Sequence, residues 1–224
     1  MTKVILKWSL VLLMISIIFT GCDKGDNNPI IPPDNSGITY EDLLAELNFA
    51  RTNPKDYAKL IEAILPYYNG KYLQYPGETR IYTWEGKAAA EEAIQALKSQ
   101  QSLNPLQLNI GLNKASQYHC DKQGIIGVTG HDSPDGKTMK DRILMYGTLG
   151  GSYMIGENIA YGSPTARRII IELIIDDGVA NRGHRDNIYE PSWTDVGFGW
   201  GYHKEYKIMC VMDFAKGYIA IIKE

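Results

Sequence analysis

Three stretches of the chain combine histidine or carboxylate side chains with glycines and small polar residues. They are residues 129–136 (TGHDSPDG) with His131, residues 156–162 (GENIAYG) with Glu157, and residues 176–188 (DDGVANRGHRDNI) with His184. Imidazole and carboxylate together can hold a divalent metal or run general acid–base chemistry near neutral pH. His131 and His184 are too far apart in sequence for one helix to present both, so a shared site has to be assembled by the fold. Glu172, Asp176 and Asp177 are further acidic candidates, and Glu172 and Asp176 would share one helical face at i, i+4. No nucleophile elbow, metalloprotease helix motif or cysteine–histidine arrangement accompanies them.

Each of these residues also has a purely structural reading. A histidine that follows a glycine in a polar loop commonly serves as a hydrogen-bonding group. Glu157 could cap a turn or pair with Arg185, while Asn158 and Asn187 suit locking loop backbones. Arg142, Arg182 and Arg185 read as ion-pair partners within the domain. His119 reads as a helix-surface residue and His203 as the end of a hairpin, and neither is given a role.

The elements that must position these groups are legible in part. Thr39-x-x-Asp42 makes a capping box, with Ile38 and Leu43 as a hydrophobic staple, and Leu43, Leu44, Leu47 and Ala50 follow as one helical stripe. Asn53-Pro54 ends that helix and opens a second, carrying Tyr57, Leu60, Ile61 and Ile64. Residues 66–83 are aromatic, turn-rich and irregular, and residues 88–98 are helical on propensity. Asn109 caps a helix through Leu112, Ala115 and His119, ended by Gly124. Thr138-x-x-Asp141 opens a short helix with Ile143 and Leu144, closed by Gly147. Ser163-Pro164 opens another, and its run from Ile169 to Ile175 is apolar nearly all round. Such a helix must be covered on most sides, which makes Glu172 within it unusual.

The end of the chain changes period. Residues 195–201 (DVGFGWG) alternate Val196, Phe198 and Trp200 with glycines, which predicts a strand with one bare face that a helix or ligand can approach closely. Residues 206–214 read as its hairpin partner. The glycine pattern is followed by no helix, so it is not a dinucleotide loop. Helices before and between a few late strands predict an α+β fold with an antiparallel sheet.

A formal net charge of −3, without a long lysine or arginine run, gives a nucleic-acid role no electrostatic support. At the N-terminus, Lys3 and Lys7 flank the start of an apolar run from Ile5 to Phe19, short for a bilayer span of about 20 residues. Phe19-Thr20-Gly21-Cys22 resembles a bacterial lipobox, although leucine is the usual residue where Phe19 stands. Residues 1–22 are thus expected to be a lipoprotein signal peptide, with Cys22 as the lipidated residue tying the chain to a cell-envelope membrane. Residues 23–37, rich in Asp, Asn, Gly and Pro, are expected to be an extended tether with a reach on the order of 20 Å. Residues 38–224 form the folded domain. Cys120 and Cys210 read equally as a disulfide or as two buried thiols.

The three polar segments, in this order and followed by the glycine-alternating strand, resemble the signature of the CAP superfamily (cysteine-rich secretory proteins, antigen 5 and pathogenesis-related proteins). The similarity is to its bacterial branch, where a histidine before Ser-Pro-Asp-Gly, a Gly-Glu-Asn-Ile and a Gly-His-Arg-x-Asn-Ile occur together. Asn48-Phe49-Ala50-Arg51 looks like the first family helix. The resemblance runs from about Tyr40 to Phe214, with residues 66–83 as an atypical insertion. It implies an α-β-α sandwich with a central antiparallel sheet flanked by helices, and an open cavity lined by two histidines and two acidic residues. His131, Glu157 and His184 match three of the four. The fourth stays open among Glu172, Asp176 and Asp177, with Asp176 taken as the choice.

The functional expectation is an extracytoplasmic module binding a small ligand, lipid or peptide in that cavity, with zinc as candidate cofactor at His131, His184, Glu157 and Asp176. The alternative is a metal-dependent hydrolase with Glu157 as general base or third ligand. A third reading is a structural or adhesive surface protein in which the four residues only stabilise the fold.

Overall fold

The computed structural model describes residues 37–221. The expected signal peptide, Cys22 and the tether up to residue 36 lie outside them. Seven α-helices are present among the described residues: α1 (Tyr40–Thr52), α2 (Pro54–Glu62), α3 (Lys87–Ser99), α4 (Ile110–Ile126), α5 (Met139–Met145), α6 (Ala166–Ile175) and α7 (Gly183–Ile188). A central sheet contains β4 (Gln107–Leu108), β5 (Gly147–Tyr161), β6 (Asp195–His203) and β7 (Lys207–Ala220), in the order β4-β6-β7-β5. β5 and β6 both pair antiparallel with β7, while the short β4 joins β6 in parallel. Residues 66–83 are not wholly irregular. They fold into a small three-stranded sheet of β1 (Tyr68–Asn69), β2 (Tyr72–Leu73) and β3 (Ile81–Tyr82).

Strand alternation sorts the side chains into two layers. On one face Val196, Phe198, Cys210, Met212, Phe214 and Ala160 join a core with α1, α2, α3 and α6. On the other, Ile155 and Ala215 pack under α4 and α5, and Ile159, Met209 and Val211 pack with Cys120. The fold is therefore α+β, an α-β-α sandwich. The same alternation explains the thiols. Cys120 and Cys210 are buried and unbridged, and they belong to cores on opposite faces of the sheet.

Both capping boxes form as the sequence predicts, at Thr39–Asp42 and Thr138–Asp141. The glycine strand meets a helix. A Cβ at Gly197 or Gly199 would lie closer than 3.0 Å to the backbone of α4. That approach lets α4 satisfy an edge of β6 that the two-residue β4 leaves unpaired. Asn113 Oδ1 accepts from the Phe198 amide at 2.9 Å and Gln117 Oε1 from the Trp200 amide at 3.2 Å. Three boundaries differ from expectation. α4 runs through Gly124, which is a packing glycine against the Tyr202 carbonyl, and ends at Gly127, whose φ of 85° is left-handed. Thr165, not Ser163, caps α6, because its side chain accepts from the Arg168 amide. Gly147 opens β5 and does not close α5.

Candidate functional site

The Gly-Glu-Asn-Ile segment lies in β5, an edge strand of the sheet. Glu157 and Asn158 are neighbours in a strand, so they point to opposite faces, and each organises one histidine.

On the α4 face, Glu157 Oε1 accepts from His131 Nδ1 at 2.7 Å, and Oε2 pairs with the Arg142 guanidinium. Arg142 also donates to the carbonyls of His131 (2.8 Å) and Lys137 (3.2 Å) and to Ser133 Oγ (3.3 Å), so one buried fork ties α5, the 131–137 loop and β5 together. His119 closes the loop from below, and here the surface reading is wrong. The residue is fully buried, with Nε2 donating to the Gly130 carbonyl at 3.0 Å and Nδ1 against Ser133 Oγ at 2.8 Å. Burial lowers its pKa. Arg185 does not partner Glu157. It pairs with Glu92 at 2.7 Å, the ion-pair role expected of it.

Asp213 has no counterpart among the residues the sequence singles out. It stands directly opposite Glu157 on β7, fully buried, and receives one hydrogen bond from Ser116 Oγ at 2.8 Å. Its Oδ1 has no hydrogen-bond partner among the described residues. Two carboxyls side by side in low dielectric cannot both ionise cheaply. Burial tends to raise the pKa of Glu157, but Arg142 first and then His131 outweigh it and hold the group at about 2. Asp213 goes the other way, raised well above the usual carboxylate range by burial and by the Glu157 charge. The opposed directions favour Asp213 over Glu157 as the one to hold a shared proton. A group with a raised pKa binds a proton in the folded state that the unfolded chain has released, so stability falls as pH climbs above the ordinary aspartate value. Asp213→Asn mimics the protonated side chain. It is expected to remove that loss, raising the melting temperature at pH 8 more than at pH 4, with a slope difference no larger than about 1.4 kcal/mol per pH unit. Parallel melting curves for variant and parent at every pH would contradict the shared proton.

On the other face, Asp176 ends α6 in the left-handed conformation, φ 55°, which aspartate tolerates better than most residues. Its Oδ2 accepts from the His184 amide at 2.8 Å and its Oδ1 lies 2.6 Å from His184 Nδ1. Asn158 Nδ2 donates to the His184 carbonyl at 2.9 Å, and Asn187 Nδ2 to Asn158 Oδ1 at 2.9 Å and to the Glu157 carbonyl at 3.2 Å. The two asparagines therefore bind α7 to the edge of β5. Of the other acidic candidates, Asp177 is occupied by the Trp84 and Glu85 amides (2.6 and 2.8 Å), and Glu172 lies on α6 facing a cavity. His203 sits at the β6–β7 turn as expected, its Nε2 donating to the Val128 carbonyl at 3.0 Å.

The site is thus two carboxylate-backed imidazoles on either side of an edge strand. In each the carboxylate fixes the Nδ1–H and leaves Nε2 without a hydrogen bond among the described residues. Carboxylate backing is the usual setting of a metal-ligating histidine, so each Nε2 suits that role. Both oxygens of Glu157 and of Asp176 are already engaged, and no three His, Cys, Asp or Glu side chains are grouped to hold a metal among the described residues. Beside His184 opens a cavity of about 100 Å³, walled by β1–β3, β5 and α6.

The chain is also similar to known proteins. The model of the family described as "CAP: Cysteine-rich secretory protein family" matches residues 80–214, more than half of the chain. The protein YkwD of Bacillus subtilis is 31 % identical over 110 residues, 49 % of this chain. The matched part spans only 40 % of that relative's own length. Two solved structures are similar at 19 % identity. An extracellular protein containing an SCP domain from Bacillus anthracis has a TM-score of 0.38 over 57 % of this chain and 37 % of its own. An outer surface protein from Borrelia burgdorferi has a TM-score of 0.42 over 58 % of this chain and 87 % of its own.

Proposed function

Because the chain belongs to the cysteine-rich secretory protein (CAP) family, we propose that it is an extracytoplasmic binding module that takes a small ligand or a peptide side chain at the edge of β5. The N-terminal leader pattern ending at Cys22 supports export and a lipid anchor in the cell-envelope membrane. The observation that carries the binding reading is the pair of backed imidazoles, each with Nε2 left to meet a partner. The adjoining cavity supports a small occupant. At about 100 Å³ it is smaller than the ~150 Å³ cavity that admits benzene, so its inner part suits a group of about four or five heavy atoms.

The hydrolase alternative has less support. A divalent ion, when bound, would supply a polarised carbonyl or an activated water. Catalytic zinc sites use three protein ligands, whereas this edge offers His131 Nε2 and His184 Nε2, with Glu157 and Asp176 as orienting partners.

Equilibrium dialysis of the full chain against zinc tests whether the two imidazoles act as one site. One equivalent should bind, and both His131→Ala and His184→Ala should weaken binding at least tenfold, the usual minimum for a lost ligand or its support. Retention of full affinity in either variant would separate the two histidines and overturn the single-site reading. Turnover of peptides or esters by the zinc-loaded chain, lost in both variants, would replace the binding module with the hydrolase.

A further inference from the structure

The insertion at residues 66–83 supplies one wall of the cavity beside His184, and β5 and α6 supply the rest. Its walls are apolar, from Leu73, Ile159 and Ile171, with the phenol rings of Tyr68 and Tyr75 on the insertion side. Three carboxylate residues line this space, and Asp176 and Asp177 have both oxygens engaged by other groups. Glu172 lines the cavity with 33 % of its side chain accessible. Its Oε2 accepts from Ser163 Oγ, and its Oε1 has no hydrogen bond among the described residues, with Arg168 Nε in ion-pair range at 3.9 Å. Arg168 divides its guanidinium, with its Nε facing Glu172 and making no hydrogen bond among the described residues. Its Nη1 bridges both oxygens of Glu78 at 3.0 Å, and its guanidinium lies 3.7 Å over the Tyr75 ring, closing the insertion onto α6. Tyr75 Oη is buried without a hydrogen-bond partner among the described residues. Asp176 and Asp177 add negative charge to the same wall, and His184 is the remaining basic group.

An open carboxylate oxygen among aromatic rings, in a space for four or five heavy atoms, selects a short aliphatic chain that ends in a cation. We propose that this cavity is a specificity pocket for an alkylammonium group, such as the end of a basic side chain. Glu172 is the counter-ion, and the insertion supplies the aromatic wall. The proposal rests on reading the β5 edge as a binding site and names the chemistry of what enters.

The test titrates the full chain with n-butylamine, the uncharged 1-butanol and the anionic butyrate, following the methyl signals of Ile159 and Ile171 by NMR. Butylammonium should bind at least tenfold tighter than butanol, the scale of one charge-assisted hydrogen bond. Glu172→Gln should erase that preference while leaving butanol binding unchanged, which also shows that the variant is folded. Lys114→Ala, at an exposed position of α4 that does not line the cavity, should keep the preference. Zinc binding could fail while the pocket stands. Equal binding of butanol and butylammonium would leave a merely apolar cavity. Tighter binding of butyrate would make Arg168 the reader. Either result, or no methyl shift with any of the three, overturns the proposal.

Discussion

Arg142→Met should lower the stability of the folded chain by about 3–5 kcal/mol, the cost of removing one partner from a buried ion pair. Arg142 is completely buried and carries four hydrogen bonds, one to Glu157 and three to the loop that holds His131. Its loss leaves a buried carboxylate beside Asp213 and strands two carbonyls. For a domain whose total stability is typically about 5–15 kcal/mol, that is a large share. The pH dependence gives a second readout. Glu157 is held at about 2, below its unfolded value, so its contribution is present above the unfolded value and is lost as pH falls from about 4.5 to 2. Chemical denaturation at pH 7 and pH 3 should show that the variant has lost both the stability and this acid sensitivity. Arg142→Lys keeps the charge without the fork and should fall between. A melting profile for Arg142→Met that matches the parent at both pH values would mean that the buried fork does not hold the site together.

Gly199→Ala should destabilise by about 3 kcal/mol, the upper end of what overpacking costs. The added Cβ would meet the backbone of α4 at Ser116 and Gln117, which cannot turn aside as a side chain can. α4 would have to lift from β6, taking with it the side-chain amides of Asn113 and Gln117 that satisfy the strand. Gly201→Ala is the internal control. Its Cβ would have Gln117 Nε2 as nearest neighbour at 3.9 Å, an ordinary separation. That substitution should change stability by less than about 0.5 kcal/mol. Equal losses at both positions, measured by urea denaturation, would show that glycine flexibility and not helix approach sets the strand.

These two positions mark what the sequence could and could not reveal. Gly197, Gly199 and Gly201 alternate with large apolar residues, and that period predicts a bare face approached by a helix, as the structure has it. The capping boxes were legible for a related reason, since the cap and its partner lie three residues apart. β5 was harder to read. It mixes glycines with Glu157 and Asn158, and a polar edge strand has the composition of a loop until its partners are known. The burial of His119 also had a signal. Asn113, Ser116, His119 and Gln123 recur at helical spacing, and all four are buried. A polar stripe on one helix face reads as solvated unless a strand with unpaired amides lies beneath it. Asp213 gave no local sign, because what distinguishes it is Glu157 across the sheet. The three polar segments pointed to His131, Glu157 and His184 and left the fourth residue among Glu172, Asp176 and Asp177, but they did not show two separate carboxylate–imidazole pairs, which follow from adjacent strand residues facing opposite sides.

The two imidazoles define the proposed site, and their nitrogen signals report directly how they are presented. Long-range proton–nitrogen spectra of the full chain at pH 9 should show His131 and His184 as the Nδ1–H tautomer, with unprotonated Nε2. On addition of zinc, both Nε2 signals should move together over one concentration range, while His119 and His203 stay in place. Nε2–H tautomers at His131 and His184, or responses to zinc at different concentrations, would contradict a single recognition site at the edge of β5.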